Sequence, residues 1–116
     1  MAKLRHIAMQ VPDLEKAAEF YETVFGMERV AHGDTPFGNA IMLSDGVMNM
    51  ALLNFPEGTI GRVNGPDWAG LHHFGFVVDD EAETGKAITD AGGDAYRTDL
   101  PEGIPALQAE IGRAHV

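Results

Sequence analysis

The sequence contains no cysteine, which excludes disulfides, thiolate metal sites and cysteine nucleophiles. It is poor in basic residues, with 8 Lys and Arg against 18 Asp and Glu, a formal charge of −10. That balance excludes nucleic acid and anionic membrane surfaces as partners. No apolar run approaches the roughly 18 residues a membrane-spanning helix needs, and Met1 to His6 lacks the apolar region of a signal peptide. The expected location is the cytoplasm. No GxxxxGK[ST] phosphate loop occurs. What remains is an ordinary globular composition, 45% hydrophobic, with six Phe, six Met and one Trp to fill a core. A chain of 116 residues makes one domain that buries about two thirds of its unfolded surface.

The strongest positive feature is a repeat. Leu4-Arg5-His6-Ile7-Ala8-Met9-Gln10-Val11-Pro12-Asp13 returns, without a gap, as Leu71-His72-His73-Phe74-Gly75-Phe76-Val77-Val78-Asp79-Asp80. His6 aligns with His73, Val11 with Val78 and Asp13 with Asp80. Each copy enters on a histidine, leaves on an acidic turn and precedes an amphipathic stretch that stops at glycine.

In the first copy, residues 4–11 predict a strand with two unlike faces. Ile7, Met9 and Val11 suit packing under a helix, while His6, Ala8 and Gln10 suit a cavity wall. Asp13 is the expected N-cap of a helix whose apolar stripe is Leu14, Ala17, Ala18, Tyr21, Val24 and Phe25, with Gly26 as its stop. Strands are expected over 27–32, 39–43 and 47–54, with Gly33 to Pro36 a loop and Ser44-Asp45-Gly46 a tight hairpin turn. Residues 56–70 read as a linker, in which Trp68 is a packing residue. The second copy predicts a strand over 71–78 and a helix over 81–91 with Ala87 and Ile88 inward. A strand over 94–98 and the start of another at Ala106 follow. The first module thus occupies about 1–55 and the second about 71–116. By analogy with the first, the second lacks a turn and a fourth strand.

This tandem βαβββ pattern resembles the vicinal oxygen chelate superfamily, the group of glyoxalase I, methylmalonyl-CoA epimerase, extradiol dioxygenases and bleomycin and fosfomycin resistance proteins. The resemblance rests on His6-Ile7-Ala8 with Val11-Pro12-Asp13, on Phe20-Tyr21 with Phe25-Gly26, and on His73 to Asp80. It implies an α+β fold in which two βαβββ modules curl a mixed sheet around a cavity, the second module truncated here. It also implies a divalent metal ion (Fe, Mn, Ni, Zn or Co), held by His6, His73 and a carboxylate, and a small-molecule substrate bound through adjacent oxygens. Two histidines and a carboxylate would form the facial arrangement of non-haem Fe(II) oxygenases.

The sequence departs from that pattern twice. The fourth-strand position that supplies an oxygen ligand in glyoxalase I and the epimerase falls on Met50 or Ala51, with Asn49 a weak substitute. The final carboxylate has no counterpart, because only Ile111-Gly112-Arg113-Ala114-His115-Val116 follows Glu110. Residues 111–116 are read as non-native, a translated adapter sequence at the end of a gene fragment.

Two functions follow as expectations. The first is a metal-dependent enzyme of dioxygenase, lyase or isomerase type, with His6 and His73 as ligands and Gln10, Asn49 and Met50 against the substrate. The second is a metal-free small-molecule binder of the bleomycin-resistance type. A homodimer is expected for either. His72 is expected on the strand face opposite His73, and His32 and His115 outside the site. Met42, Met48 and Met50 are expected mainly as core. The helix carboxylates, Glu15, Glu19 and Glu22 among them, are expected on solvated faces.

Overall fold

The computed structural model describes residues 2–35, 38–55, 65–96, 108–111 and 114–115. The elements in chain order are β1 (Lys3–Gln10), α1 (Leu14–Phe25), β2 (Glu28–Thr35), β3 (Gly38–Ser44), β4 (Asn49–Asn54), β5 (Gly70–Val77), α2 (Glu81–Asp90), β6 (Asp94–Tyr96), β7 (Gln108–Ile111) and β8 (Ala114–His115). The expected α+β architecture is present. A five-stranded mixed sheet has the order β2-β3-β4-β1-β5, and a three-stranded sheet the order β6-β7-β8. By contacts the chain divides into two compact units, residues 5–74 and residues 1–4 with 75–116.

The larger unit is built on the parallel pairing of β1 with β4, in register at His6–Asn49, Ile7–Met50, Ala8–Ala51, Met9–Leu52 and Gln10–Leu53. Since side chains alternate along a strand, this register assigns each pair to one side of the sheet. One side receives α1: Leu14, Ala17, Ala18 and Tyr21 pack with Met9, Val11, Ile41, Leu43, Met50 and Leu52. Ile41, Leu43 and Leu52 are its largest fully buried side chains. The expected sorting of Met9 and Val11 beneath the helix is therefore observed.

Local chemistry sets the ends of α1 as the sequence suggests. Asp13 Oδ1 accepts from the Lys16 backbone N–H at 3.1 Å, satisfying one of the orphan donors of the first turn. Gly26 takes the left-handed conformation at φ 68°, and its N–H reaches the Glu22 carbonyl. Asp80 caps α2 in the same way, accepting from the Glu83 N–H at 2.9 Å.

Four expectations need correction. First, β2 does not end at His32 but continues to Thr35, pairing Gly33, Asp34 and Thr35 with Ala40, Asn39 and Gly38. Ladder hydrogen bonds to β3 override the loop preference of Gly-Asp-Thr. Second, Ser44 pairs with Asn49, so the turn is a four-residue loop and β4 starts at Asn49. Asp45 Oδ1 closes that loop by accepting from the N–H groups of Met48 at 2.7 Å and Val47 at 2.8 Å. Those two bonds hold its carboxyl below the usual carboxylate range. Third, the last turn of α1 overhangs the core: Val24 and Phe25 are exposed, and Phe25 packs on the rings of Phe20 and Tyr21. Fourth, Ala87 of α2 is exposed while Ile88 is half-buried.

The proposed linker lies largely outside the described residues. At its described end, Trp68 is half-buried and its ring covers Gly70, where a Cβ would stand 2.6 Å from Cζ2. The strand expected from Ala106 is described from Gln108, and β7 pairs with both β6 and β8.

Two substitutions test this packing by urea denaturation. Leu52→Ala removes a fully buried side chain from the sheet–helix core, and the expected loss is about 3 kcal/mol. Gly26→Ala forces a Cβ into the left-handed region, with an expected loss of about 1 kcal/mol. A Leu52→Ala loss below about 1 kcal/mol would contradict the central place given to this residue.

Candidate functional site

β1 and β5 are neighbours in the larger sheet, and they bring the two repeat histidines together. His6 Nε2 and His73 Nε2 lie 3.2 Å apart, the ring centroids 5.1 Å apart and tilted by 37°. Both side chains belong to the larger unit. The pair is half-buried, and burial lowers the His6 pKa below the ordinary value of 6.5. His6 is accordingly a neutral imidazole at pH 7, the protonation state that ligates metals.

The strand register defines what accompanies His6. Asn49 stands beside it, then Ala51 beside Ala8 and Leu53 beside Gln10. Ala8 and Ala51 are buried, as is Gln10 at 3% exposure. Among the described residues no buried side-chain nitrogen or oxygen lacks a hydrogen-bond partner. Asn49, at the first position of β4, is exposed.

Met50 is placed differently from Asn49. It pairs with Ile7 and packs on the α1 side of the sheet. There, with Ile7, Tyr21, Phe25, Met27 and Met48, it borders a largely apolar cavity of about 430 Å³, whose rim also includes Asp45 and Asn49. One residue of strand register decides this, since neighbours along a strand face opposite ways. The same register resolves the two readings of the fourth strand: Ala51, not Met50, shares the side of His6.

A structural feature not expected from the sequence is the position of His72. Its Nδ1 lies 2.7 Å from His73 Nδ1, with the ring centroids 5.0 Å apart and nearly perpendicular. The alternation rule assigns neighbouring Cβ atoms to opposite sides, yet side chains of this length still meet at their ring atoms. Phe55 packs against His72, at a centroid distance of 5.3 Å. Gly38 leaves room for that ring, because a Cβ there would stand 2.6 Å from Phe55 Cδ1. The signal available in the sequence was the His72-His73 doublet, which periodicity alone separates.

The remaining candidates lie elsewhere. His32 is exposed and 3.6 Å from Asp34. Glu15 and Glu22 are joined by Arg29, which donates to them at 2.9 and 2.7 Å, so these carboxylates tie α1 to β2. Asn54 fixes the exit of β1, its Nδ2 donating to the carbonyl of Val11 at 2.8 Å.

The residues present fit two positions of a divalent ion. Nitrogens about 2.1 Å from a metal and near a right angle stand about 3 Å apart, which is the His6–His73 spacing. Among the described residues, no group of three or more His, Cys, Asp or Glu side chains gathers around such a point.

Comparison with known proteins identifies the family. A sequence profile of the glyoxalase/bleomycin resistance protein/dioxygenase superfamily matches residues 3–101. The chain belongs to that superfamily. Among solved structures, it is similar to a methylmalonyl-CoA epimerase in complex with methylmalonyl-CoA and NH4+ (TM-score 0.75, 22% identity, covering 95% of this chain and 85% of that one). It is also similar to a hypothetical protein from Bacillus halodurans C-125 (TM-score 0.74, 20% identity, 93% and 82%). The Streptomyces coelicolor methylmalonyl-CoA epimerase in complex with 2-nitronate-propionyl-CoA gives TM-score 0.74 at 23% identity (92% and 82%). At these identities the likeness establishes the fold. No curated protein matches the sequence. Among the described residues, no helix is long and apolar enough to cross a membrane.

The lowered His6 pKa makes a prediction for the metal-free protein. The unfolded chain takes up a proton near pH 6.5, whereas folded His6 takes it up only at lower pH. This contribution to stability is complete above pH 6.5 and is lost as the pH falls through the folded pKa. A titration followed by histidine NMR should place the His6 midpoint below the ordinary value of 6.5. A midpoint at or above that value would mean that burial does not govern it.

Proposed function

We propose that this protein is a divalent-metal-dependent enzyme of the superfamily, acting on a small substrate that presents two adjacent oxygens. The observation that carries this reading is the convergence of His6 Nε2 and His73 Nε2 at 3.2 Å. His6 and His73 would hold the ion. Once bound, the ion supplies Lewis-acid stabilisation of negative charge developing on the substrate oxygens. The protein's part is to keep the His6 imidazole neutral by burial, to orient both rings, and to line their side of the sheet with the small residues Ala8 and Ala51.

In this reading Asn49, exposed beside His6, orients the substrate. Gln10, buried in the wall on the same side of the sheet as His6, acts from within it. Met50 shapes the apolar side of the sheet, and any substrate contact there lies across the sheet from the histidines. Of the three reaction types, isomerisation draws support from the methylmalonyl-CoA epimerases among the structural neighbours. Against it, Ala51, which follows Asn49 on the His6 side of β4 and pairs with Ala8, offers no oxygen ligand. That same alanine favours a second reading, a metal-free binder that sequesters a small molecule.

Calorimetric titration with Ni2+ or Zn2+ separates the two readings. The enzyme reading expects His6→Ala and His73→Ala each to weaken metal affinity by a factor on the order of 100 while circular dichroism stays unchanged. It also expects chelation to abolish substrate turnover. Unaltered affinity in both variants would remove the metal site and leave the binder.

A further inference from the structure

The ring nitrogens of three histidines form a continuous chain in the larger unit. His72 Nδ1 meets His73 Nδ1 at 2.7 Å, and His73 Nε2 meets His6 Nε2 at 3.2 Å. Each nitrogen–nitrogen contact of this kind needs one proton between two lone pairs. A neutral imidazole carries a single N–H, so His73 can donate at one of its nitrogens and must accept at the other. The tautomer of His73 is therefore set by whichever neighbour takes its proton.

We propose that His72 is a positioning residue for His73. It accepts the His73 Nδ1–H and so fixes the tautomer whose Nε2 lone pair faces His6. The resulting chain runs in one direction: His6 Nε2–H donates to His73 Nε2, and His73 Nδ1–H donates to His72 Nδ1. With one N–H per ring, each of the two nitrogen–nitrogen contacts then holds one proton. Ring orientation is constrained in the same way. Phe55 covers His72 at 5.3 Å, and the missing Cβ of Gly38 admits the Phe55 ring.

A partner on the far nitrogen of a metal-binding histidine fixes its tautomer and orientation and raises its basicity. In this superfamily member that partner is another imidazole, supplied by the preceding residue of the same strand. The consequence for metal binding rests on the metal reading given above; the tautomer assignment does not.

Long-range 15N–1H NMR of the metal-free protein reads the tautomer directly. The expected result is His73 in the Nδ1–H form. His72→Phe keeps a ring against Phe55 but removes the acceptor, and it should return His73 to a mixture dominated by the Nε2–H form. His72→Asn places a side-chain oxygen where Nδ1 stood and should restore the Nδ1–H form. In Ni2+ titrations, His72→Phe should bind about 10- to 100-fold more weakly than the parent. His72→Asn should recover most of that loss. A purely packing role predicts the reverse ranking, with Phe tolerated and Asn damaging.

His73 in the Nε2–H form in the parent protein would overturn the proposal. So would an unchanged tautomer in His72→Phe. If Ni2+ affinity survives both His6→Ala and His73→Ala while the tautomer responds to residue 72 as described, the metal reading fails and the positioning role stands.

Discussion

The parallel pairing of β1 with β4 is the constraint on which the rest of the larger unit depends. Its register, His6 beside Asn49 and Ile7 beside Met50, divides two strands of side chains between an apolar side and the side that carries His6. On the first, Met9, Met50 and Leu52 meet α1 and bury the core. On the second lie a histidine, small residues and two amides. A slip of one residue would exchange the two sets, burying the His6 imidazole under the helix and exposing the core side chains. The hydrophobic effect holds this register, and so the geometry of the histidine site is enforced by packing on the other side of the sheet.

Short polar contacts then fix the ends of the pairing. Asn54 Nδ2 grips the Val11 carbonyl where β1 leaves the sheet, and Val11 N–H reaches the Leu53 carbonyl at 2.8 Å. Asp13, two residues further on, starts α1. The chain therefore turns from strand to helix within three residues, and α1 is laid over the strands it covers. Arg29 adds an exposed tie from β2 to Glu15 and Glu22. Exposed ion pairs of this kind contribute little to stability, so its role is to set direction rather than to hold the fold.

Much of this was legible in the sequence because it rests on local rules. The limits of α1 follow from Asp13 and Gly26, and the two faces of β1 follow from alternation. The pairing of His6 with His73 followed from the repeat and the family resemblance. What escaped depends on pairing between segments. Gly33, Asp34 and Thr35 look like a loop until β3 supplies their hydrogen bonds. Met50 and Ala51 could not be assigned to sides until the β4 register was known. His72 was separated from His73 by a rule that describes Cβ directions and says nothing of where two imidazole rings end. Phe55 and Gly38, which brace His72, carry no motif at all.

These misses share a cause that bears on how the site works. The two repeat histidines are specified by the sequence twice over, but a ligand position also needs a tautomer and a ring orientation. Those come from neighbours whose identities mean little in isolation: a second histidine, a phenylalanine beyond the end of β4, and a glycine that leaves room for it. A chain could retain both repeat histidines and still lose the site through any of the three. In the proposed metal site the repeat supplies the two histidines, and the contacts of His72 with His73 and of Phe55 with His72 would set how their nitrogens are turned.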